Sequence, residues 1–241
     1  MEQYFKGKTV LVTGAGWGIG AATALLYAAH GAKVIISDTS RKGGKDTLAK
    51  IKNKKGNAIY IRTDVSNAAA CEELIKKTIR TYGSIDIACN NSAVFSESLH
   101  SANRDRESAD NQMGLNLTGL NNCMQYEIEA MQKQGRGTIV NTSSVVGVGL
   151  SPSNQYIEAK YGLLTLLQDL PGEYPAIHIH TIAPAFIETA LFKPMIHPET
   201  ERGIKLFSMD WQGMIQKVAG LVLWLSSDKT QLLSTVSNDS N

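Results

Sequence analysis

The chain has 241 residues, which at roughly 150 residues per domain suits one large α/β domain or two small ones. Its 24 basic and 22 acidic side chains leave a net charge of +2, and no run of like charges indicates binding to nucleic acid or to a membrane surface. Apolar residues make up 43% of the chain, an ordinary globular share that excludes a disordered protein. No apolar run reaches the ~20 residues of a membrane span, and the N-terminus lacks a secretory signal, so we expect a cytoplasmic protein.

Strand-like apolar runs alternate with helical patterns up to about residue 182, which is typical of βαβ units around a parallel sheet. The six predicted strands are Thr9–Thr13, Lys33–Ser37, Ala58–Ile61, Ile85–Cys89, Thr138–Asn141 and Ile177–Ile182. No repeat, low-complexity linker or composition shift divides the chain. We therefore predict a single α/β domain over residues 1–241.

Three stretches carry one apolar stripe each at helical spacing. They run from Cys71 to Tyr82, from Met113 to Met131 and from Met214 to Leu225. Ser66 lies where the N-cap of the first of these helices belongs. Residues 188–213 have weak periodicity and mix prolines with large apolar side chains, which favours a substrate lid.

Neither the cysteines nor the histidines indicate a metal site. Cys71, Cys89 and Cys123 are widely spaced in apolar surroundings and are interpreted as core residues, not as a disulfide framework or a zinc site. His178 and His180 share one strand face, but no carboxylate or cysteine stands at a matching spacing. We interpret both histidines as packing residues and predict no metal.

A glycine-rich turn, Gly14-Ala15-Gly16-Trp17-Gly18-Ile19-Gly20, follows the first strand and precedes an Ala- and Leu-rich helix. Glycines permit positive φ and let the backbone approach a pyrophosphate, while the helix offers free N–H groups and the positive end of its dipole. For the turn alone, a tight βα connection is the alternative. The second strand with an acid at its end favours a dinucleotide site. The cofactor-binding residues predicted in this turn are Gly14, Trp17, Gly18, Ile19 and Gly20.

The acid is Asp38, which lies 24 positions beyond Gly14 at the end of the second predicted strand. A carboxylate there accepts hydrogen bonds from ribose hydroxyls and repels a 2′-phosphate, so NAD is favoured over NADP. A helix-capping role is the alternative for Asp38, and nearby Arg41 and Lys42 leave NADP open.

Tyr156 and Lys160 are four residues apart and would share one face of a helix. A phenol of pKa ≈ 10 is a poor base near neutrality, but a nearby ammonium and an oxidised nicotinamide both favour its phenolate. The pair therefore suits proton transfer, although two surface side chains would be the default for this spacing alone.

Together with the glycine turn, these residues resemble the short-chain dehydrogenase/reductase family over nearly the whole chain. The matching positions, in order, are Thr13-Gly14-x-x-x-Gly18-x-Gly20, Asp64-Val65, Asn90-Asn91, Asn116-Leu117-Thr118-Gly119, Ser144, Tyr156-x-x-x-Lys160, Pro184 and Thr189. The resemblance implies a Rossmann-like doubly wound parallel sheet.

The resemblance also implies the roles of single residues. Tyr156 would exchange the substrate proton, Lys160 would bind the nicotinamide ribose, and Asn116 would hold a relay water. Ser144 would bind the substrate oxygen, although Ser143 has the more usual separation of 13 positions from Tyr156. The further cofactor contacts implied are Asp64, Val65, Asn90, Ile187 and Thr189. The candidate substrate walls are Phe95, Val146, Phe186, Leu191, Phe192 and Trp211.

Four features depart from the family pattern. The family has glycine where Ala93 and Ala185 stand here. Pro171-Gly172 interrupts the helix after Tyr156, so we expect a stop or kink at Leu170 and leave the oligomer geometry open. The 13 residues from Lys229 to Asn241 contain no glycine, so we predict that the family's seventh strand is degraded or missing.

The leading hypothesis is an oxidoreductase that transfers a hydride between NAD(H) and a small secondary alcohol or ketone, in a homo-oligomer. The alternative is a family member that binds NAD with little catalysis and acts as a sensor or partner-binding module. The departures at Ala93, Ala185 and the C-terminal tail motivate this alternative.

Overall fold

The computed structural model describes residues 2–91, 106–142, 170–182, 184 and 211–227. In this part of the chain six strands form one parallel sheet in the order β3-β2-β1-β4-β5-β6. The strands are β1 (Thr9–Thr13), β2 (Lys33–Asp38), β3 (Asn57–Arg62), β4 (Ile87–Asn90), β5 (Gly137–Thr142) and β6 (Ile177–Ile182). The order reverses direction between β1 and β4, which is the switch point of a doubly wound sheet.

Helices cover both faces of the sheet. The helices are α1 (Gly18–Ala29), α2 (Arg41–Asn53), α3 (Ala68–Tyr82), α4 (Arg106–Gln134), α5 (Leu170–Glu173) and α6 (Trp211–Leu225). On one face, α1, α2 and α6 pack apolar side chains such as Tyr27, Ile51 and Val222 against the strands. On the other face, α3 and α4 do the same with Leu74 and Met131. Burial of both faces explains why the strands are nearly continuous apolar runs.

All six predicted strands and all three apolar helices are present, so the doubly wound α/β prediction is confirmed. The bounds of β1 and β6 are those predicted, and those of the other four strands differ by one or two residues, most at β4, which begins at Ile87 and not at Ile85. The backbone N–H and C=O of Ile85 bond to the side-chain amide of Gln134 at the end of α4. Because a side chain takes these groups, Ile85 stays outside the sheet; backbone bonds to β1 and β5 begin at Asp86, and the paired register begins at Ile87.

The prediction that Ser66 caps α3 is wrong. The cap is Asn67, whose Oδ1 accepts a hydrogen bond from the Ala70 N–H at 3.0 Å. Both the N–H and the hydroxyl of Ser66 donate to Oδ1 of Asp64, at 3.0 Å and 2.7 Å. The Asp64 carboxylate thus holds Ser66 in a turn, and the helix begins after it.

The core contains the residues that the stripes predict. Cys71, Leu74, Ile75 and Thr78 of α3 are buried, while Ile79 is 37% exposed at the stripe's edge. Cys71, Cys89 and Cys123 are buried free thiols, which confirms their interpretation as core residues. In the described part of the chain, no helix is long and apolar enough to cross a membrane.

Three expectations concern residues outside the described part of the chain. They are the substrate lid predicted at 188–213, of which 211–213 are described and begin α6, the degraded seventh strand after Asp228, and the chain that precedes the expected kink at Leu170. Residues Leu170–Glu173 form a helical turn that includes Pro171.

Candidate cofactor and active site

The glycine turn lies at the carboxyl edge of the sheet, between the end of β1 and the start of α1. Gly14 and Gly18 have φ of 61° and 51°, in the left-handed region that favours glycine. Trp17 stands at the N-cap of α1 in extended geometry and makes no side-chain capping bond, and the first turn of α1 contains no acid. The first N–H groups of α1 are therefore open to an anionic ligand.

Gly20 and Gly16 bring parts of the turn into close contact. A Cβ on Gly20 would lie 2.2 Å from the carbonyl oxygen of Gly14, and a Cβ on Gly16 would lie 2.7 Å from Oδ2 of Asp38. Real Cβ contacts are essentially never this short. At Gly20 the obstructing atom belongs to the backbone, so α1 can fold back against β1 only with glycine there, whereas a side chain at Gly16 would displace the Asp38 carboxylate.

Asp38 ends β2 beside the turn. Its Oδ2 accepts a hydrogen bond from the Gly16 N–H at 2.8 Å, and its Oδ1 accepts one from the Ser40 N–H at 2.7 Å. Asp38 is not the helix cap that the alternative proposed: the N-cap of α2 is Ser40, whose hydroxyl accepts a hydrogen bond from the Gly43 N–H, and Asp38 bonds the backbone of that cap residue. Arg41 and Lys42 are exposed in the first turn of α2, next to this carboxylate.

Asp64 and Val65 form the next part of this edge, after β3. The Asp64 carboxylate is exposed, while the Val65 carbonyl accepts hydrogen bonds from Asn122 Nδ2 at 2.9 Å and from the Cys71 thiol at 3.4 Å. A Cβ on Gly119 would lie 2.8 Å from a methyl group of Val65, so α4 packs closely on the turn. The turn from Asp64 to Ser66, here called the adenine turn after its implied ligand, is thus fixed by α3 and α4.

Asn90 ends β4, but its side chain points into the protein. Its Nδ2 donates to Glu127 Oε2 at 2.8 Å and to Asn141 Oδ1 at 3.1 Å, and all three residues are buried. Among the described residues, Glu127 Oε1, Asn90 Oδ1 and Asn141 Nδ2 have no hydrogen-bond partner. A ribose contact by Asn90 would therefore use its backbone carbonyl.

Sequence reasoning missed Glu127. It lies on the buried stripe of α4, three residues after Met124 and four before Met131, so its position alone marked it as a buried acid. Burial raises its pKa to about 7, although the hydrogen bond from Asn90 opposes the shift.

Glu127→Gln is expected to remove a pH dependence of stability. The pKa of Glu127 rises from 4.5 to about 7 on folding, so its contribution to stability is fully present below pH 4.5. That contribution, about 3 kcal/mol, is lost as pH rises through 7. Glutamine keeps an acceptor for Asn90 without the charge, so the variant should be the more stable protein above pH 7.

Urea unfolding between pH 4.5 and pH 7 tests this prediction, and the measured quantity is the difference in unfolding free energy between the variant and the parent. Glu129→Gln, an exposed change on the same helix, is the matched control and should leave the pH dependence in place. A Glu127→Gln variant whose unfolding free energy runs parallel to the parent's at every pH would contradict the assignment.

Two described elements lead to residues of the predicted chemistry. Asn116 lies in α4, and β5 ends at Thr142, directly before Ser143 and Ser144. The other predicted residues of the reaction and the nicotinamide end lie outside the described part of the chain: Ser144, Tyr156, Lys160, Phe186, Ile187 and Thr189. Their roles stay predictions.

A glycine turn, an open helix N-terminus and an acid after the second strand, all at one edge of a doubly wound sheet, define a dinucleotide-binding protein. The family model described as short chain dehydrogenase matches residues 8–200. The chain belongs to the short-chain dehydrogenase/reductase family, as its resemblance predicted.

Known relatives match along nearly the whole chain. The 3-oxoacyl-acyl-carrier-protein reductase of Thermotoga maritima is 31% identical over 234 residues, covering 95% of this chain and 94% of the relative. The cyclohexanol dehydrogenase of Acinetobacter sp. strain SE19 is 29% identical over 237 residues, covering 97% and 93%. The crystal structure of a levodione reductase superposes with a TM-score of 0.80 at 28% identity, covering 93% of this chain and 92% of that one.

The chain is therefore an oxidoreductase of a family that uses nicotinamide cofactors, NAD or NADP. The described residues fit such a group. The first N–H groups of α1 have no side-chain cap and no acid beside them, so they could bind phosphate oxygens, and the Asp38 carboxylate at the same turn could bind a ribose hydroxyl.

Proposed function

We propose that this protein is an NAD-dependent dehydrogenase/reductase that interconverts a secondary alcohol and a ketone. The observation that carries the NAD preference is the Asp38 carboxylate at the end of β2, held 2.8 Å from the Gly16 N–H. An ionised carboxylate offers about four acceptor positions, and the two backbone bonds leave others for ribose hydroxyls. The same charge repels a 2′-phosphate.

The reaction itself is proposed from the residues that match the family. Tyr156 takes the proton of the alcohol, and its phenolate is favoured by the ammonium of Lys160. Ser144 donates a hydrogen bond to the substrate oxygen, and Asn116 holds a water that continues the proton path. When bound, the nicotinamide takes up or returns the hydride.

The names of two similar proteins support a cyclic secondary alcohol or ketone as the first substrates to test. One is a cyclohexanol dehydrogenase and the other a levodione reductase, and both match this chain over more than nine tenths of its length. Phe186 is the proposed apolar contact to the substrate.

Turnover of purified full-length protein, followed by NADH absorbance with cyclohexanol, cyclohexanone and a panel of other secondary alcohols and ketones, tests the proposal. Steady turnover with at least one member of the panel is the expected result. Binding of NADH without turnover of any member would instead favour the sensor or partner-binding alternative.

Asp38→Asn is expected to reduce the preference for NADH over NADPH at least roughly tenfold, which corresponds to about 1.4 kcal/mol. Asparagine keeps an acceptor for the Gly16 N–H but removes the charge that repels a 2′-phosphate. Titration of protein fluorescence with NADH and NADPH gives both dissociation constants.

Asp46→Asn is the matched control, because it also removes one carboxylate charge, from an exposed position on α2, the helix that follows Asp38. The control should leave the preference unchanged. Parent protein that binds NADPH as tightly as NADH would reject the proposed role of Asp38 and favour Arg41 and Lys42 as phosphate contacts.

We also propose that the protein is a cytoplasmic homo-oligomer, a dimer or a tetramer. The supporting observation is the outer face of α6, where Leu221 and Trp224 are 43% and 48% exposed. Large apolar side chains on one exposed helix face favour contact with another subunit. Sedimentation equilibrium measures the number of subunits.

A further inference from the structure

Two cysteines meet where α3 packs on α4. Cys71 lies in the first turn of α3, Cys123 lies in α4, and their sulfur atoms are 3.8 Å apart. Both side chains are buried, at 1% and 3% exposure, and both are free thiols. Two helices thus present a pair of thiols in van der Waals contact, 52 residues apart in sequence.

The sulfur atoms of Cys71 and Cys123 are not far from the distance that a disulfide requires. A disulfide has a sulfur–sulfur distance of about 2.05 Å, so the sulfur atoms must approach by under 2 Å. Both cysteines lie on helices that already pack together, so the crosslink would join two elements that are in contact before oxidation.

The two thiols differ in their tendency to ionise. A hydrogen bond from Cys123 lowers the pKa of Cys71, although burial and Glu127 oppose the shift. The same bond and burial raise the pKa of Cys123, and Glu127, one turn further along α4, raises it as well. Cys71 is therefore the nucleophile of the pair, because the thiolate is the reactive form.

Cys71 also lies directly behind the adenine turn. Its sulfur donates to the Val65 carbonyl at 3.4 Å, and the adenine turn that carries this carbonyl begins at the exposed Asp64. A small oxidant reaches the sulfur when this turn opens locally.

We propose that Cys71 and Cys123 form a modification site at which a hydroperoxide produces a disulfide that crosslinks α3 to α4. The Cys71 thiolate attacks the peroxide, the O–O bond breaks, and an alcohol or water leaves while Cys71 becomes a sulfenic acid. The sulfur of Cys123 then attacks that of Cys71, so that the S–S bond forms and the S–O bond breaks to release water. Two thiols lose two electrons in total, and the peroxide gains them.

We expect the disulfide to weaken cofactor binding, and this consequence rests on the proposed function. Oxidation removes the thiol hydrogen that bonds the Val65 carbonyl and pulls Cys71 toward α4. The loss of one such bond is expected to weaken NADH binding roughly two- to tenfold. Asn122 still holds the Val65 carbonyl, so the turn loosens but stays in place.

Peptide mapping by mass spectrometry of full-length protein treated with hydrogen peroxide tests the site. The expected product is a Cys71–Cys123 crosslink that dithiothreitol reverses. In Cys123→Ala the crosslink is absent and a sulfenic acid trap labels Cys71. Cys89→Ala is the matched control and should still form the crosslink, because burial raises the pKa of Cys89 to about 12 and keeps it protonated.

Either of two results would overturn the site: no crosslink in the parent protein, or oxidation of Cys89 ahead of the pair. The NADH dissociation constant of the oxidised and reduced parent then tests the coupling. A crosslink without a change in NADH affinity overturns the coupling to the adenine turn. Reduced protein that binds no NADH rejects the proposed function and leaves the crosslink result intact.

Discussion

Tyr156→Phe is expected to lower kcat by roughly 10²–10⁴-fold, the usual contribution of a positioned acid or base, while NADH binding stays unchanged. Phenylalanine keeps the ring but removes the hydroxyl that exchanges the substrate proton. A phenol of pKa ≈ 10 must be shifted by two or three units to act near neutrality, which corresponds to roughly 3–4 kcal/mol. The proposed sources of this shift are the ammonium of Lys160, four residues away, and the positive charge of the oxidised nicotinamide.

Stopped-flow measurement of turnover, with fluorescence titration of NADH, separates the chemical step from binding. Tyr126→Phe, which removes a hydroxyl from a half-buried position on α4, is the matched control and should keep full activity. A Tyr156→Phe enzyme with the turnover of the parent would show that another group exchanges the proton.

Gly20→Ala is expected to raise the NADH dissociation constant at least roughly tenfold and to destabilise the fold by about 1–3 kcal/mol. The new Cβ would lie 2.2 Å from the Gly14 carbonyl oxygen and 2.8 Å from Asn91 Nδ2. The first of these atoms belongs to the backbone and cannot rotate away. The start of α1 must therefore move off β1, and its free N–H groups move with it.

Gly220→Ala in α6 is the matched control. In the described part of the chain no heavy atom lies within 4 Å of the added Cβ, and alanine is the better helix former, so this variant should be slightly more stable. Thermal unfolding and NADH titration of both variants give the comparison. Unchanged NADH affinity in Gly20→Ala would mean that the turn does not hold the pyrophosphate.

Most of the fold could be predicted, because the local sequence patterns agree with the packing of the strands and helices. A parallel sheet buried on both faces requires apolar strands such as Val10–Val12 and Ile35–Ile36, and these are easily read from the sequence. The start of β4 could not be predicted in this way, because it depends on the side chain of Gln134, 49 residues away from Ile85. The prediction of the N-cap of α3 failed for a local reason. Asp64, Ser66 and Asn67 are all residue types that cap helices well, and only the hydrogen bonds in the structure distinguish between them.

The residues of the candidate site could be predicted from the sequence, but most of the contacts between them could not. The sequence located Asp38 but not its bond to Gly16, because that contact joins two turns that only the parallel pairing of β1 and β2 brings together. For Asn90 the family resemblance implied a ribose contact, but the sequence did not show that its side chain donates hydrogen bonds to Glu127 and Asn141. Ser144, Tyr156 and Lys160 were identified by family resemblance, because their spacing alone is compatible with an ordinary helix.

The bond from Gly16 to Asp38 also bears on how cofactor preference could evolve in this chain or be engineered. The carboxylate that we propose selects the ribose also holds Gly16, the second glycine of the glycine turn, in place. Exchange of Asp38 for a basic residue would therefore change two properties at once, and the orphaned Gly16 N–H would need a new acceptor. A mutational path to NADP use in this scaffold is expected to need a compensating change in the turn or at Ser40 before, or together with, the change at Asp38.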